Sequence, residues 1–179
     1  MKMKARGLRN NNPLNIRRTK TVWQGMKPQV TDKVFVEFTT MAYGYRAAWR
    51  TLFTYFYKHF GKNKAVTVSD IIHRWAPPSE NPTQTYIGTV LRLTGIGGRE
   101  HLLPPRNPRG AWKLASILAA MTVVENGIRP EEVDITAIRQ GYSMAFNEPF
   151  PTESDTPENE EETTVWDEYW DWSPSAYGE

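Results

Sequence analysis

From Met41 to Phe60 the apolar side chains Met41, Tyr45, Ala48, Trp49, Leu52, Phe53, Phe56 and Phe60 recur at three- and four-residue steps, with Arg46, Arg50 and Lys58 elsewhere. That period predicts an amphipathic helix, closed by Gly61. A second helix is predicted over Thr67–Trp75, with Thr67 as N-cap and Asp70 three residues on, a variant of the capping box. A third runs from Pro82 to about Leu93 and stops at Gly95; Asn81 reads as its N-cap and Pro82 as its first residue. Asn107 and Pro108 open a fourth that reaches Asn126, with Gly127 past its end. Within it Leu114–Val124 is apolar nearly all round, broken only by Ser116 and Thr122, which predicts a helix buried on every side. A shorter helix is predicted over Asp134–Gly141.

Upstream the period changes to two. Val34, Val36 and Phe38 alternate with Phe35 and Glu37, and Leu14–Arg18 and Val22–Gln24 are further short strand candidates. Asn10, Asn11, Asn12 and Pro13 form a turn before them. The pattern predicts an α+β fold: a helix-rich domain over residues 1–146, with a small N-terminal antiparallel sheet and a central buried helix. After Phe146 the pattern ends. Residues 147–164 are rich in Pro, Glu, Thr and Ser, the composition of an acidic disordered linker. Residues 165–179 begin with Val-Trp-Asp-Glu-Tyr-Trp-Asp-Trp. Solvated aromatics are costly, so Val165–Trp172 is read as a segment that docks on another protein or folds back on the basic body. The linker before it gives reach, which favours docking.

The 179 residues suffice for one ordinary domain. There is no cysteine, and His59, His73 and His101 are widely spaced, so neither disulfides nor a metal site is predicted, and no cofactor motif occurs. The basic start lacks an apolar core and no long apolar run follows, which predicts neither a secretory signal nor a membrane span. All 22 Lys and Arg precede residue 147, with 9 of the 20 Asp and Glu, so the body carries +13 and the remainder −11. Such a body suits a polyanionic partner, among them the anionic polymers of a bacterial wall. No helix-turn-helix, zinc-finger or ribonucleoprotein motif accompanies the charge, so specific nucleic-acid binding is not predicted.

Candidate chemistry concentrates in Arg74–Thr83, Arg-Trp-Ala-Pro-Pro-Ser-Glu-Asn-Pro-Thr. Pro77 and Pro78 stiffen a loop that holds Glu80 near Trp75, Asn81 and, beyond it, Tyr86. A carboxylic acid beside an apolar ring and amides is the equipment of glycoside cleavage. Glu80 is the candidate acid, and Glu37 the second carboxylate or alternative acid. Asn15, Trp23 and Tyr43 join Trp75, Asn81 and Tyr86 as candidate sugar contacts.

Arg6–Arg18 (Arg-Gly-Leu-Arg-Asn-Asn-Asn-Pro-Leu-Asn-Ile-Arg-Arg), Trp23-Gln24-Gly25, Phe35–Phe38, Tyr43–Ala47 and Arg74–Thr83, in this order, resemble a family of small bacteriophage and prophage proteins described as virion or structural proteins. The family usually has glycine where this chain has Leu14, which makes the turn less tight here or changes its type. More distantly, Asn-Asn-Pro-Leu-Asn-Ile-Arg is similar to the Asn-Leu-Phe-Gly-Ile-Lys motif of lysozyme-like bacterial glucosaminidases, in which a general-acid Glu lies on a helix before the motif. These resemblances imply a lysozyme-like domain located in a phage virion, or in the host cytoplasm before release. They imply a peptidoglycan-cleaving glycosidase or lytic transglycosylase. The alternative is a non-catalytic virion protein that binds the wall or other virion subunits, the latter through Val165–Trp172.

Overall fold

The computed structural model describes residues 4–61 and 63–156, so the expectations for the linker beyond 156 and for Val165–Trp172 lie outside the described residues. Among the described residues six α-helices follow one another: α1 (Arg6–Arg9), α2 (Met41–Thr54), α3 (Val68–Trp75), α4 (Thr83–Thr94), α5 (Pro108–Asn126) and α6 (Ile135–Phe146). α2 continues into a π-helical turn, Tyr55–Phe60, before Gly61 ends it at φ 75°.

The α+β expectation is overturned. Among the described residues no sheet is present; within residues 10–39 strand-like pairing is confined to isolated bridges, Arg17 with Phe35 and Met26 with Phe38. The asparagines explain why. Asn11 and Asn15 adopt left-handed φ of 50° and 51°, which bends the chain where a strand would run on. Between them Asn12, fully buried, donates Nδ2 to the carbonyls of Ile16 and Val36 and accepts from the Ile16 amide. One side-chain amide thus occupies backbone groups that a ladder would need. The alternation around Glu37 fails as well, since Val36, Glu37 and Phe38 are all buried. The molecule is helical with an irregular N-terminal layer, not a lysozyme-like domain with an N-terminal sheet.

The helices obey local rules. Thr67 accepts from the Asp70 amide while Asp70 accepts from the Thr67 amide, a reciprocal cap for α3. Asn107 caps α5 through the Gly110 amide, and Gly127 ends it in the left-handed region. α4 starts one residue later than the sequence suggests. Pro82 occupies its cap position, and Thr83 Oγ1 instead donates to the Ala76 carbonyl at 2.6 Å, tying α4 to the end of α3. α6 runs five residues past Gly141, because Tyr142, Ala145 and Phe146 all bury against α2 and its surroundings.

α2 and α6 form the most extensive helix pair. Gly141 lets them close: a Cβ there would lie 2.7 Å from Tyr45 Cβ and 2.8 Å from the Arg46 amide nitrogen. Across this seam Trp49, fully buried, donates its indole N–H to the Ile138 carbonyl at 3.0 Å and meets Tyr142 edge-on. α5 packs on α4, α6 and α1. Leu114, Ile117, Leu118 and Met121 are buried, but Ala115, Ala119 and Val123 are half-buried and Ser116 is exposed. α5 is therefore buried on one side rather than all round. A second cluster of Val36, Phe38 and Ala47, with Ile16, Trp23, Met26 and Tyr43, fastens the N-terminal layer to α2.

Candidate functional site

The last turn of α5 carries Glu125 and Asn126 onto the asparagine-rich segment. Asn126 Nδ2 donates to the Pro13 carbonyl at 2.7 Å and to Thr122 of its own helix at 2.9 Å. Asn15, bent back by its left-handed backbone, donates Nδ2 to one Glu125 oxygen at 2.9 Å. Tyr86, buried on α4, donates its hydroxyl to the other at 3.0 Å. Gly7 makes the junction close. A Cβ there would lie 2.5 Å from Asn126 Oδ1, 2.8 Å from the Asn12 carbonyl and 2.9 Å from Asn15 Oδ1. Those two side-chain oxygens are buried without an N–H or O–H donor, and the α-hydrogens of Gly7 are what they face.

Glu125 lines a cleft of about 350 Å³ between the N-terminal layer and the α3–α4 loop. Burial pushes its carboxyl above the ordinary glutamate value, and the hydrogen bonds from Asn15 and Tyr86 only partly oppose this. Its own burial, and then the same pairing, drive the Tyr86 hydroxyl far up, so it stays a donor. Trp23, Tyr55 and Trp75 provide aromatic wall, and Asn15, Arg17, Glu80 and Asn81 provide polar groups. Trp75 meets Tyr55 nearly edge-on, and Arg74, which donates to His59 Nε2 at 2.8 Å, lies over the Tyr55 ring.

Of the residues singled out from sequence, Asn15, Trp23, Trp75, Glu80 and Asn81 line this one cleft, and Tyr86 reaches it through Glu125. Glu80 is exposed on the α3–α4 loop and pairs with Arg17 at 3.3 Å, bridging the cleft from wall to wall. Both side chains are solvated, so this bridge contributes little to stability. Glu37 lies elsewhere. It accepts from the amides of Thr31 and Asp32, from the Thr31 hydroxyl at 2.5 Å and from Arg18. These bonds, the Thr31 hydroxyl first, hold its carboxyl down to about 2. Tyr43 packs against the second cluster, with Gly25 pressed on its ring.

Sequence reasoning passed over Glu125. Its signal was a lone carboxylate in the last turn of an apolar helix, in Val-Val-Glu-Asn-Gly. Among the described residues, no group of His, Asp and Glu could hold a metal ion, and no helix is long and apolar enough to cross a membrane.

No family model matches the chain. Over 145 residues, however, it is 37% identical to protein P5 of Pseudoalteromonas phage PM2, covering 79% of this chain and 82% of that protein. The chain belongs to the phage P5 family. The phage resemblance read from the N-terminal motifs is thereby supported at the level of a phage protein. The P5-family chain described here holds its cleft between the segment that carries those motifs and the end of α5.

Proposed function

We propose that this chain is a phage virion component that engages the glycan strands of bacterial peptidoglycan in the Glu125 cleft and cleaves them. The observation that carries the reading is Glu125 itself: a half-buried carboxyl, raised in pKa, oriented by Asn15 and Tyr86 and opening on a cleft with aromatic walls. A raised carboxyl pKa extends to higher pH the range over which a proton is available for transfer to a leaving glycosidic oxygen. Trp23 and Trp75 offer ring faces for sugar, and Asn81 offers an amide. Glu80 stands on the cleft as a second carboxylate once substrate displaces its solvated bridge to Arg17. In glucosaminidases, whose asparagine-rich motif this chain resembles, the acid helix precedes the motif. Here α5 follows the motif in sequence and meets it in space, the reverse order, so the assignment of Glu125 rests on the cleft geometry and not on that resemblance.

Digestion of purified peptidoglycan by wild-type protein and by Glu125→Gln tests this reading. Release of muropeptides by the wild type and at least on the order of a hundredfold loss in the variant is expected. No cleavage by the wild type across pH 4 to 8 sinks it. A second reading, wall binding without cleavage, draws on the fact that both Glu125 oxygens are already occupied by Asn15 and Tyr86. Retention on peptidoglycan by wild type and Glu125→Gln alike, with no product, would select it.

A further inference from the structure

On the outer face of α5 and α6, a groove of about 290 Å³ is lined chiefly by apolar side chains, among them Trp112, Ala119, Val123, Ile135, Ile138 and Phe150. Ile135 is 47% exposed, unusual for a large aliphatic residue here. The Trp112 indole N–H is buried there without an acceptor, a costly state for a donor. Arg139 lies over both Trp112 and Phe150, 5.0 and 5.5 Å from their ring centres, and puts positive charge on the rim. The groove thus presents apolar wall and a cation together.

We propose that the groove is the docking site of this chain's own aromatic-acidic segment, Val165–Trp172. The complementarity is specific. Trp166, Tyr169, Trp170 and Trp172 match the apolar wall, while Asp167, Glu168 and Asp171 bring opposite charge for Arg139. The chain already leaves from this place, since Phe150 is part of the groove and the described residues end at Thr156. Nine positions separate Thr156 from Val165. Chain geometry alone limits the reach of that stretch to roughly 30 Å. A tether this short sets an effective concentration on the order of millimolar, so a weak peptide contact suffices in cis. The groove does not depend on the Glu125 cleft, and its occupant does not depend on the proposed cleavage.

Because the chain has no cysteine, cross-linking of the full-length protein reads the contact directly. Ser116→Cys places a thiol in the groove at an exposed position, and Ser173→Cys places one directly after Trp172. Under mild oxidation this pair is expected to close an intramolecular disulfide at least tenfold faster than Thr21→Cys with Ser173→Cys, whose first thiol is on the N-terminal layer. The rate should not change with protein concentration. Adding Trp166→Ala, Trp170→Ala and Trp172→Ala should bring it down to that of the control pair. Equal rates for the two pairs overturn the proposal, as does a rate indifferent to the loss of the three tryptophans. Disulfides that form mainly between chains and rise with concentration would assign the groove to a second copy instead, and also overturn it.

Discussion

Asn15 and Glu125, 110 positions apart, meet at 2.9 Å, and this contact turns a helix end and a bent N-terminal segment into one site. Asn15 holds a backbone conformation that few residues adopt, and the result is an amide aimed at a carboxyl that burial has made reluctant to ionise. Asparagine satisfies both demands at once, because it tolerates the left-handed region and carries a donor.

The first prediction concerns Glu125→Gln. The side chain keeps its shape, while the Tyr86 hydroxyl can rotate to suit an amide. The charge that burial disfavours is gone. A group whose folded pKa is raised gives its full stability below the unfolded value and loses it as pH rises through the folded one. The variant should therefore match or exceed wild-type stability at pH 8, with the gap closing toward pH 4, while cleavage falls at least on the order of a hundredfold. Thermal melts across that range, set beside peptidoglycan digestion, check both halves. A variant less stable than wild type at pH 8 would show that Glu125 is an ionised anchor.

Tyr86→Phe and Asn15→Gly each remove one hydrogen bond that lowers the Glu125 pKa. Glycine also preserves the left-handed backbone at position 15. In both variants the alkaline limb of the cleavage profile should move to higher pH, because the acid then keeps its proton longer. Tyr86→Phe should cost about 1 kcal/mol of stability, the usual net value of such a bond. A pH–rate profile that does not move, or moves down, contradicts the assignment of Glu125 as acid.

How much of this was legible in the sequence divides along physical lines. α3 and α5 could be read because their signals are local: Thr67 with Asp70, Asn107 with Pro108, and Gly127 all act within a few residues. The sheet could not be excluded, because Val34, Val36 and Phe38 do alternate, and what prevents a ladder is a side-chain amide, Asn12, from 24 positions away. Four of the proposed contact residues, Asn15, Trp23, Trp75 and Asn81, line one cleft with Glu80, since the stiff loop and the asparagine motif each concentrate such groups. Glu125 stayed hidden for the opposite reason. Nothing beside it in sequence marks it, and its partners lie 110 and 39 positions away.

Gly7→Ala tests the junction that holds the cleft together. The added methyl would sit between Asn126 Oδ1, Asn15 Oδ1 and the Asn12 carbonyl, all under 3.0 Å, and two of these belong to residues that flank or touch Glu125. Overpacking of this kind typically costs about 1–3 kcal/mol. Cleavage should fall along with stability, because Asn15 must shift. Gly88→Ala, where a Cβ meets nothing within 4 Å, is the control; it should leave cleavage unchanged and, as a mid-helix glycine replaced by alanine, raise stability by about 0.5–1 kcal/mol. If Gly7→Ala folds with wild-type stability, the close packing of α1 against the end of α5 is not as described.

The last prediction is the acid sensitivity of the N-terminal layer. Glu37 accepts four hydrogen bonds from Thr31, Asp32 and Arg18, which hold its carboxyl at about 2 instead of 4.5. A depressed folded pKa means a contribution that is fully present above the unfolded value and disappears as pH falls through the folded one. Wild-type stability should therefore decline between about pH 4.5 and 2. Glu37→Gln removes the charge that these donors hold, and should cost about 1–3 kcal/mol at pH 7. Its stability should depend less on pH in that window, so the two curves converge as the solution is acidified. Denaturant unfolding at pH 7, 4 and 2.5 measures this. Parallel curves would mean that Glu37 carries no pH-linked share of the stability, and that the acid sensitivity of the layer lies in Asp32 and its bond to Arg6.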